Sequence, residues 1–307
     1  MELLLNAVAG VDIHKKQITI TALVKDPETG KTQKETWESN TFTKDLIKCG
    51  KKLLEMGIKD VAMESTGVYW KPVHNVWSEQ GINITLGNAT HIKNVPGRKT
   101  DTKDSEWIAR LHMSGLIRPS YIPNKNFQEL RLLTRHRRNL VDDMTRIKNR
   151  IQKILEDGNV KLSSVISDVF GVAGLKIIES LAGGETIPSV LASCATTNIK
   201  CNQEELEDAL THTFNGNQFY LLQSLIIQLK STQQLYDQLD EKINQEMTPY
   251  SNIIDQLSTI PGIKEKLAED IIAEATTDMS NFKNEKMFAA WAGVAPGSNE
   301  SAGKKKE

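Results

Sequence analysis

Val8-Ala9-Gly10-Val11-Asp12-Ile13 and Val61-Ala62-Met63-Glu64 are two short apolar runs that each close on a carboxylate. Apolar runs of this length read as buried strands. An acidic group facing a buried or cleft environment at a strand end requires a partner, and a cation is one such partner. Working outward from the first run, Ala7 to Ile13 is turned by His14-Lys15-Lys16 into Gln17 to Val24, which is rich in Ile, Thr and Val and predicts a hairpin. Lys25-Asp26-Pro27-Glu28-Thr29-Gly30 is a turn cluster, and Thr32 to Ser39 follows as a third antiparallel strand. Gly30-Lys31-Thr32 is not a phosphate loop, because Lys25 stands where the loop's first glycine is needed and a strand follows instead of a helix.

Thr43 reads as the N-cap of an amphipathic helix carrying Leu46, Ile47, Leu53, Leu54 and Met56, closed by Gly57. Ile58 to Met63 then runs into Glu64, a helical stretch spans Tyr69 to Gln80, and Ile82 to Leu86 is the last apolar run. Three antiparallel strands, then helix, strand, helix, strand and helix, make a mixed α/β domain with right-handed crossovers between the later strands. That order is the one used by the ribonuclease-H-like fold, with Ser105 to Leu116 as closing helix, entered just after Asp101 and Asp104.

Beyond it, Asn126 to about Leu155 predicts a long helix, with Leu133, Leu140, Ile147 and Ile154 seven apart and Met144 and Ile151 between them. Arg131, Arg135, Arg137, Arg138, Arg146, Lys148, Arg150 and Lys153 give it a basic face opposed only by Asp142 and Asp143, a feature hidden in the net charge of −1. Such a helix is either a nucleic-acid backbone contact or a plain solvated face. Residues 158 to 217 read as short helices and loops. Leu222, Leu229, Tyr236 and Ile243 form a second seven-residue repeat, a coiled-coil-like helix that pairs with the basic helix or with another subunit. The expected division is a catalytic domain at 1–122, a helical connector at 123–250 and a small helical C-terminal domain at 251–307. No apolar run is long enough to span a membrane, no signal-peptide pattern opens the chain, and three scattered cysteines fit a reducing compartment, so a cytoplasmic protein is expected. Cys194, Cys201 and His212 lack a zinc spacing. Trp70, Trp77 and Trp107 sit at helix-like positions and read as core.

Asp12 and Glu64 would end neighbouring strands, and Asp101 and Asp104, three apart at a helix start, share one face. Oxygen ligands from separate elements suit Mg²⁺ or Mn²⁺, and two ions about 3.5–4 Å apart clamp the attacking and leaving oxygens of a phosphodiester. The residues by themselves also allow a plainer account, in which the first pair are solvated strand ends and the second pair cap a helix dipole.

Three segments shift that balance: Ala9-Gly10-Val11-Asp12-Ile13-His14-Lys15, Met63-Glu64-Ser65-Thr66-Gly67-Val68-Tyr69 and Arg98-Lys99-Thr100-Asp101-Thr102-Lys103-Asp104. They resemble the acidic motifs of insertion-sequence transposases of the 110/1111 family, which carry a RuvC-like, DEDD-type catalytic domain. Leu257-Ser258-Thr259-Ile260-Pro261-Gly262-Ile263 and Trp291 to Lys304 are similar to that family's second domain, so the resemblance runs along almost the whole chain. It implies that Asp12, Glu64, Asp101 and Asp104 bind the metal ions, and that a serine, Ser301 by motif position, attacks a DNA phosphate and holds the cut end. Lys304, Lys305 and Lys306 would then hold the phosphate backbone. The resemblance further implies DNA as partner, a homo-oligomer, and for some members an element-encoded structured RNA that chooses donor and target. Members normally continue beyond the position of Glu307, so an incomplete C-terminal domain is expected. The alternatives are a RuvC-like nuclease without a covalent step and a truncated relic that only binds nucleic acid. Ile260-Pro261-Gly262-Ile263 also resembles the turn of a helix-hairpin-helix, against a simple Pro-Gly turn between packed helices.

Overall fold

The strands expected on either side of Lys15-Lys16 pair in a computed structural model that describes residues 4–96, 103–195, 201–295, 300–301 and 304–305 of the 307. The chain divides into two units, Met1–Ile122 and Pro123–Glu307. In the first, β1 (Ala7–Ile13), β2 (Gln17–Lys25) and β3 (Thr32–Asn40) precede α1 (Thr43–Glu55), β4 (Asp60–Glu64), α2 (Trp70–Glu79), β5 (Asn83–Gly87), α3 (Ala89–Asn94) and α4 (Asp104–Met113). The five strands form one sheet in the order β3-β2-β1-β4-β5, antiparallel across β3-β2-β1 and parallel from β1 through β4 to β5. This is a mixed α/β arrangement consistent with a ribonuclease-H-like domain.

Period-two alternation assigns the two faces of the sheet. Ala9, Val11, Ile13, Ile18, Ile20, Val61 and Met63 point to one side and are buried with Leu46, Leu53, Val73 and Trp77 of α1 and α2. Trp77 is wholly enclosed and donates from Nε1 to the Leu46 carbonyl at 2.8 Å, so its one polar atom is satisfied. Val8, Gly10 and Asp12 point to the other side, which α4 covers. Trp107 is buried there beside Ile92 and Ile108, a core residue as expected. One boundary differs in detail. Phe42, not Thr43, takes the cap position of α1 and makes no side-chain cap bond, Thr43 being the first helical residue.

The second unit is built on two long helices, α5 (Lys125–Asp157) and, after the short helices α6 (Leu162–Val165), α7 (Val172–Ala182), α8 (Pro188–Ser193) and α9 (Gln203–Leu210), α10 (Gly216–Met247). Phe127 and Leu130 at the start of α5 pack with Ile243 and Met247 at the end of α10, while Met144 to Leu155 pack with Leu222, Ile226 and Leu229, so the pair is antiparallel. Of the two partners left open for the second repeat, the basic helix of the same chain is the one found. Asn124 and Asn215 cap the two helices with their side chains. Then come α11 (Ser251–Ser258), α12 (Glu265–Ala275), α13 (Glu285–Trp291) and a two-residue hairpin of β6 (Glu300–Ser301) with β7 (Lys304–Lys305), which the sequence pattern did not announce. Among the described residues no helix is long and apolar enough to cross a membrane.

Candidate active site of the sheet unit

Pairing of Val11 with Met63 in the parallel β1–β4 ladder carries Asp12 and Glu64 to the same level at the carboxyl ends of adjacent strands. Both project to the α4 side, because Gly10 pairs with Ala62 and each acid lies two residues further along. From above, α4 begins at Asp104. What lets this helix approach is Gly10: a Cβ there would stand 2.2 Å from both the Ser105 carbonyl and the Ala109 nitrogen. A glycine inside an apolar strand marks such a close approach of backbone to backbone.

Burial and neighbouring charges act on Asp12. Burial raises the Asp12 carboxyl above its ordinary value, His14 works in the opposite direction, and the charges of Asp104 and Glu64 add to the rise. His14 Nε2 lies 3.3 Å from Asp12 Oδ2, and the Thr66 hydroxyl donates to Glu64 Oε1. Neither His14 nor Thr66 was singled out in the sequence, although both lie inside the quoted acidic motifs. Asp101 falls outside the described residues. Among the described residues no three carboxylate, imidazole or thiolate groups stand close enough to hold an ion as they are. The chemistry of the donor set nevertheless suits a hard cation, since all the donors are carboxylate oxygens and positive charge would relieve the burial and like charge that raise Asp12.

In the second unit the basic face is divided. Arg131 donates to the carbonyls of Ala273, at 3.1 Å, and of Glu274. Arg135 makes a bidentate pair with the Glu274 carboxylate at 2.6 and 2.8 Å. Arg137, expected to face outward, is only 3% exposed. It occupies the inner seam of α5 and reaches Glu269, Asp270 at 2.8 Å, Asp240 at 3.1 Å and the Lys266 carbonyl at 3.1 Å. Its guanidinium is thus spent within the chain, a correction to the expectation of a phosphate contact. The signal was present: Leu130, Arg137, Met144 and Ile151 are seven apart, so Arg137 falls on a buried seam position. On the same exposed surface Arg138 lies 3.8 Å from Asp142 and Arg146 donates to Asp143 at 2.6 Å, while Lys148 stands over the Phe170 ring. Arg150 and Lys153 are exposed, with no ion pair among the described residues. Ser301 pairs with Lys304 along the β6–β7 ladder, and Glu300 with Lys305. Gly262, at φ +91, and the bond from Ile263 N to the Ile260 carbonyl at 3.0 Å make the turn between α11 and α12.

A mixed sheet with carboxylates at the ends of two adjacent strands, covered by a helix that opens on another, is consistent with the class of ribonuclease-H-like α/β domains. Residues 9–159 match the DEDD family model of IS110 elements, described as Transposase, and residues 254–307 match the Transposase IS116/IS110/IS902 family. The chain belongs to the IS110 family of transposases, which makes transposition its general function and DNA its partner. No curated protein matches it.

Proposed function

We propose that the chain is a metal-dependent DNA strand-transfer enzyme in which Asp12, Glu64, Asp101 and Asp104 hold Mg²⁺ or Mn²⁺, two ions in the full site. The observation that carries this reading is the convergence of Asp12 and Glu64 at one level of adjacent parallel strands with Asp104 at the start of the covering helix, supported by the Asp12 carboxyl, which burial and then the charges of Asp104 and Glu64 raise. When bound, the ions would activate an attacking oxygen and stabilise charge on the phosphoryl oxygens. Asp12 and Glu64 set the ligand positions from rigid strands, and His14 offers a donor at their edge. Ser301 is the proposed nucleophile: its oxygen bonds to phosphorus as the bond to the departing deoxyribose oxygen breaks, and that oxygen takes up the proton. The phosphoserine ester preserves the bond energy for rejoining.

The proposed division is a catalytic domain at 1–122, a connector at 123–250 and a transposase domain at 251–307, in a homo-oligomer working in the cytoplasm. Arg138, Arg146, Lys148, Arg150 and Lys153, with Lys304 and Lys305, are the residues offered for nucleic-acid backbone, DNA or an element-encoded guide RNA. The test uses DNA carrying the element's own ends. Asp12→Ala and Glu64→Ala are expected to abolish metal-dependent strand exchange while leaving folding and nucleic-acid binding largely intact, and retained recombination in either would sink the assignment. A trapped protein–DNA adduct that is lost in Ser301→Ala separates strand transfer from simple hydrolysis, which leaves no adduct.

A further inference from the structure

On the α4 side of the sheet, Gly10, Thr21 and Thr36 lie in one row across β1, β2 and β3, since Thr21 pairs with Gly10 on one side and with Thr36 on the other. Above this row Ser105 Oγ and Thr21 Oγ1 are 2.8 Å apart, and Thr21 Oγ1 and Thr36 Oγ1 are 3.0 Å apart. Thr21 and Ser105 are both 0% exposed. A wholly buried hydroxyl costs free energy unless it is hydrogen-bonded, and an alanine against a valine would fill the same space without that demand. Their chemistry therefore marks a place where α4 is fixed in position, and not merely packed.

The fixed point lies one residue from Asp104. Helix α4 runs back along β1: Ser105 and Ala109 lie over Gly10, Ala109 and Met113 cluster with Val8, and the nitrogens of Leu4 and Leu5 donate to the Met113 carbonyl. Ala109 over Gly10 is a smooth contact, glycine against alanine, that resists sliding weakly. A slip of one residue would move Asp104 about 1.5 Å along the sheet. Oxygen–metal distances of about 2.0–2.6 Å tolerate errors of only ~0.2 Å. Against the sheet the slip is opposed by the Thr21–Ser105 pair, helped at the rim by Glu106, which accepts from Lys34 of β3 at 2.9 Å, and beside α3 by Trp107, whose Nε1 donates to the Ile92 carbonyl at 3.2 Å.

We propose that Thr21 and Ser105 are positioning residues of the acidic site: their buried hydroxyl pair sets the register of α4 on the sheet and so the separation between Asp104 and Asp12. The inference rests on the metal-site reading above. Mn²⁺ binding to the full chain, followed by the electron paramagnetic resonance of the free ion and without any DNA reaction, is the deciding measurement. Thr21→Val, which keeps the shape and removes the hydroxyl, is expected to weaken Mn²⁺ binding about tenfold, or about 1.4 kcal/mol. Thr21→Ser should restore most of it. Ser105→Ala should weaken binding in the same direction, and the double variant should be no worse than Thr21→Val, since all three break the Thr21–Ser105 bond and only the loss of Thr21 also removes the contact with Thr36. Ile20→Val, a cavity on the opposite face of the same strand, should lower the melting temperature comparably and leave Mn²⁺ binding unchanged.

Wild-type Mn²⁺ affinity in folded Thr21→Val and Ser105→Ala would overturn the proposal, as would equal weakening in Ile20→Val. If Thr21→Val does not fold, Ser105→Ala decides alone. If Asp12→Asn binds Mn²⁺ as tightly as the wild type, the metal-site reading fails and this inference falls with it. Loss of binding in Asp12→Asn with full retention in Thr21→Val and Ser105→Ala removes this inference only.

Discussion

Around Asp12, carboxylates from two other elements act on one carboxyl with His14 at its edge; around Arg137, every carboxylate meets a cation. In the sheet unit Asp12, Glu64 and Asp104 come from three elements, and burial with mutual repulsion holds the Asp12 proton more tightly than usual. In the helical unit Arg137 and Lys266 meet Asp240, Glu269 and Asp270, and Glu269 is only 2% exposed. Burial works against the Arg137 charge, yet its bonds to Glu269 and Asp270 outweigh that and raise the guanidinium above its ordinary value. A network in which each carboxylate is bonded to a cation holds helices together. Under the proposed function, a half-buried carboxyl joined by carboxylates from two other elements is a place to receive something positive.

The contrast breaks most visibly at Arg137. Arg137→Ala strands the Glu269 carboxylate in the interface of α5, α10 and α12, and chemical denaturation should register a loss of about 3–5 kcal/mol. A change below about 1 kcal/mol would mean that water reaches the network and that its ion pairs are not what joins the helices.

The opposite sign is expected at Asp12. A carboxyl whose folded value lies above its unfolded value of 3.8 makes the folded state bind more protons across that interval, so stability falls as pH rises through it and stays reduced above. Asp12→Asn should therefore raise the melting temperature of the metal-free chain at neutral pH by about 2 °C and lose the stability that the wild type gains when Asp12 is protonated, so that its advantage shrinks as pH falls. Mg²⁺ should raise the melting temperature of the wild type and not of the variant. An Asp12→Asn protein that melts lower than wild type without metal would show that the carboxylates are not in conflict.

The smallest effects belong to the exposed end of α5. Arg150→Ser and Lys153→Ser should each lower the slope of log affinity for nucleic acid against log salt by about 1, uniformly across sequences, with melting unchanged. An unaltered slope in both would leave that surface merely solvated.

Strand periodicity made the sheet legible, because one face of β1 and β4 is apolar throughout and the carboxylates interrupt the other. Asp12 and Glu64 could be placed as strand ends on that basis, and the parallel register carried them to one level. Gly10 was legible only as part of a motif. Its physical role needs the backbone of α4, which comes from 95 residues further along the chain. Thr21, Thr36 and Ser105 gave no signal, since threonine in a strand is already explained by its propensity. Arg137 was misread for the reverse reason. A count of charges treats each arginine as exposed, whereas the seam Leu130, Arg137, Met144 and Ile151 assigns it inward. The loops and short helices between α5 and α10 carry no long period, so their packing against both long helices emerges only in three dimensions.

The antiparallel pair has a consequence for length. Helix α5 contains 33 residues, which at 1.5 Å each make a rod of about 50 Å. One end is gripped by the core that α6 to α9 share with both long helices, where Gln218 donates to Asp157 at 2.7 Å, and the other by α11 and α12. Whatever each end holds is kept apart by a ruler whose graduations are single residues. One heptad added to α5 and one to α10 would lengthen it by about 10 Å while returning every side chain to its own face.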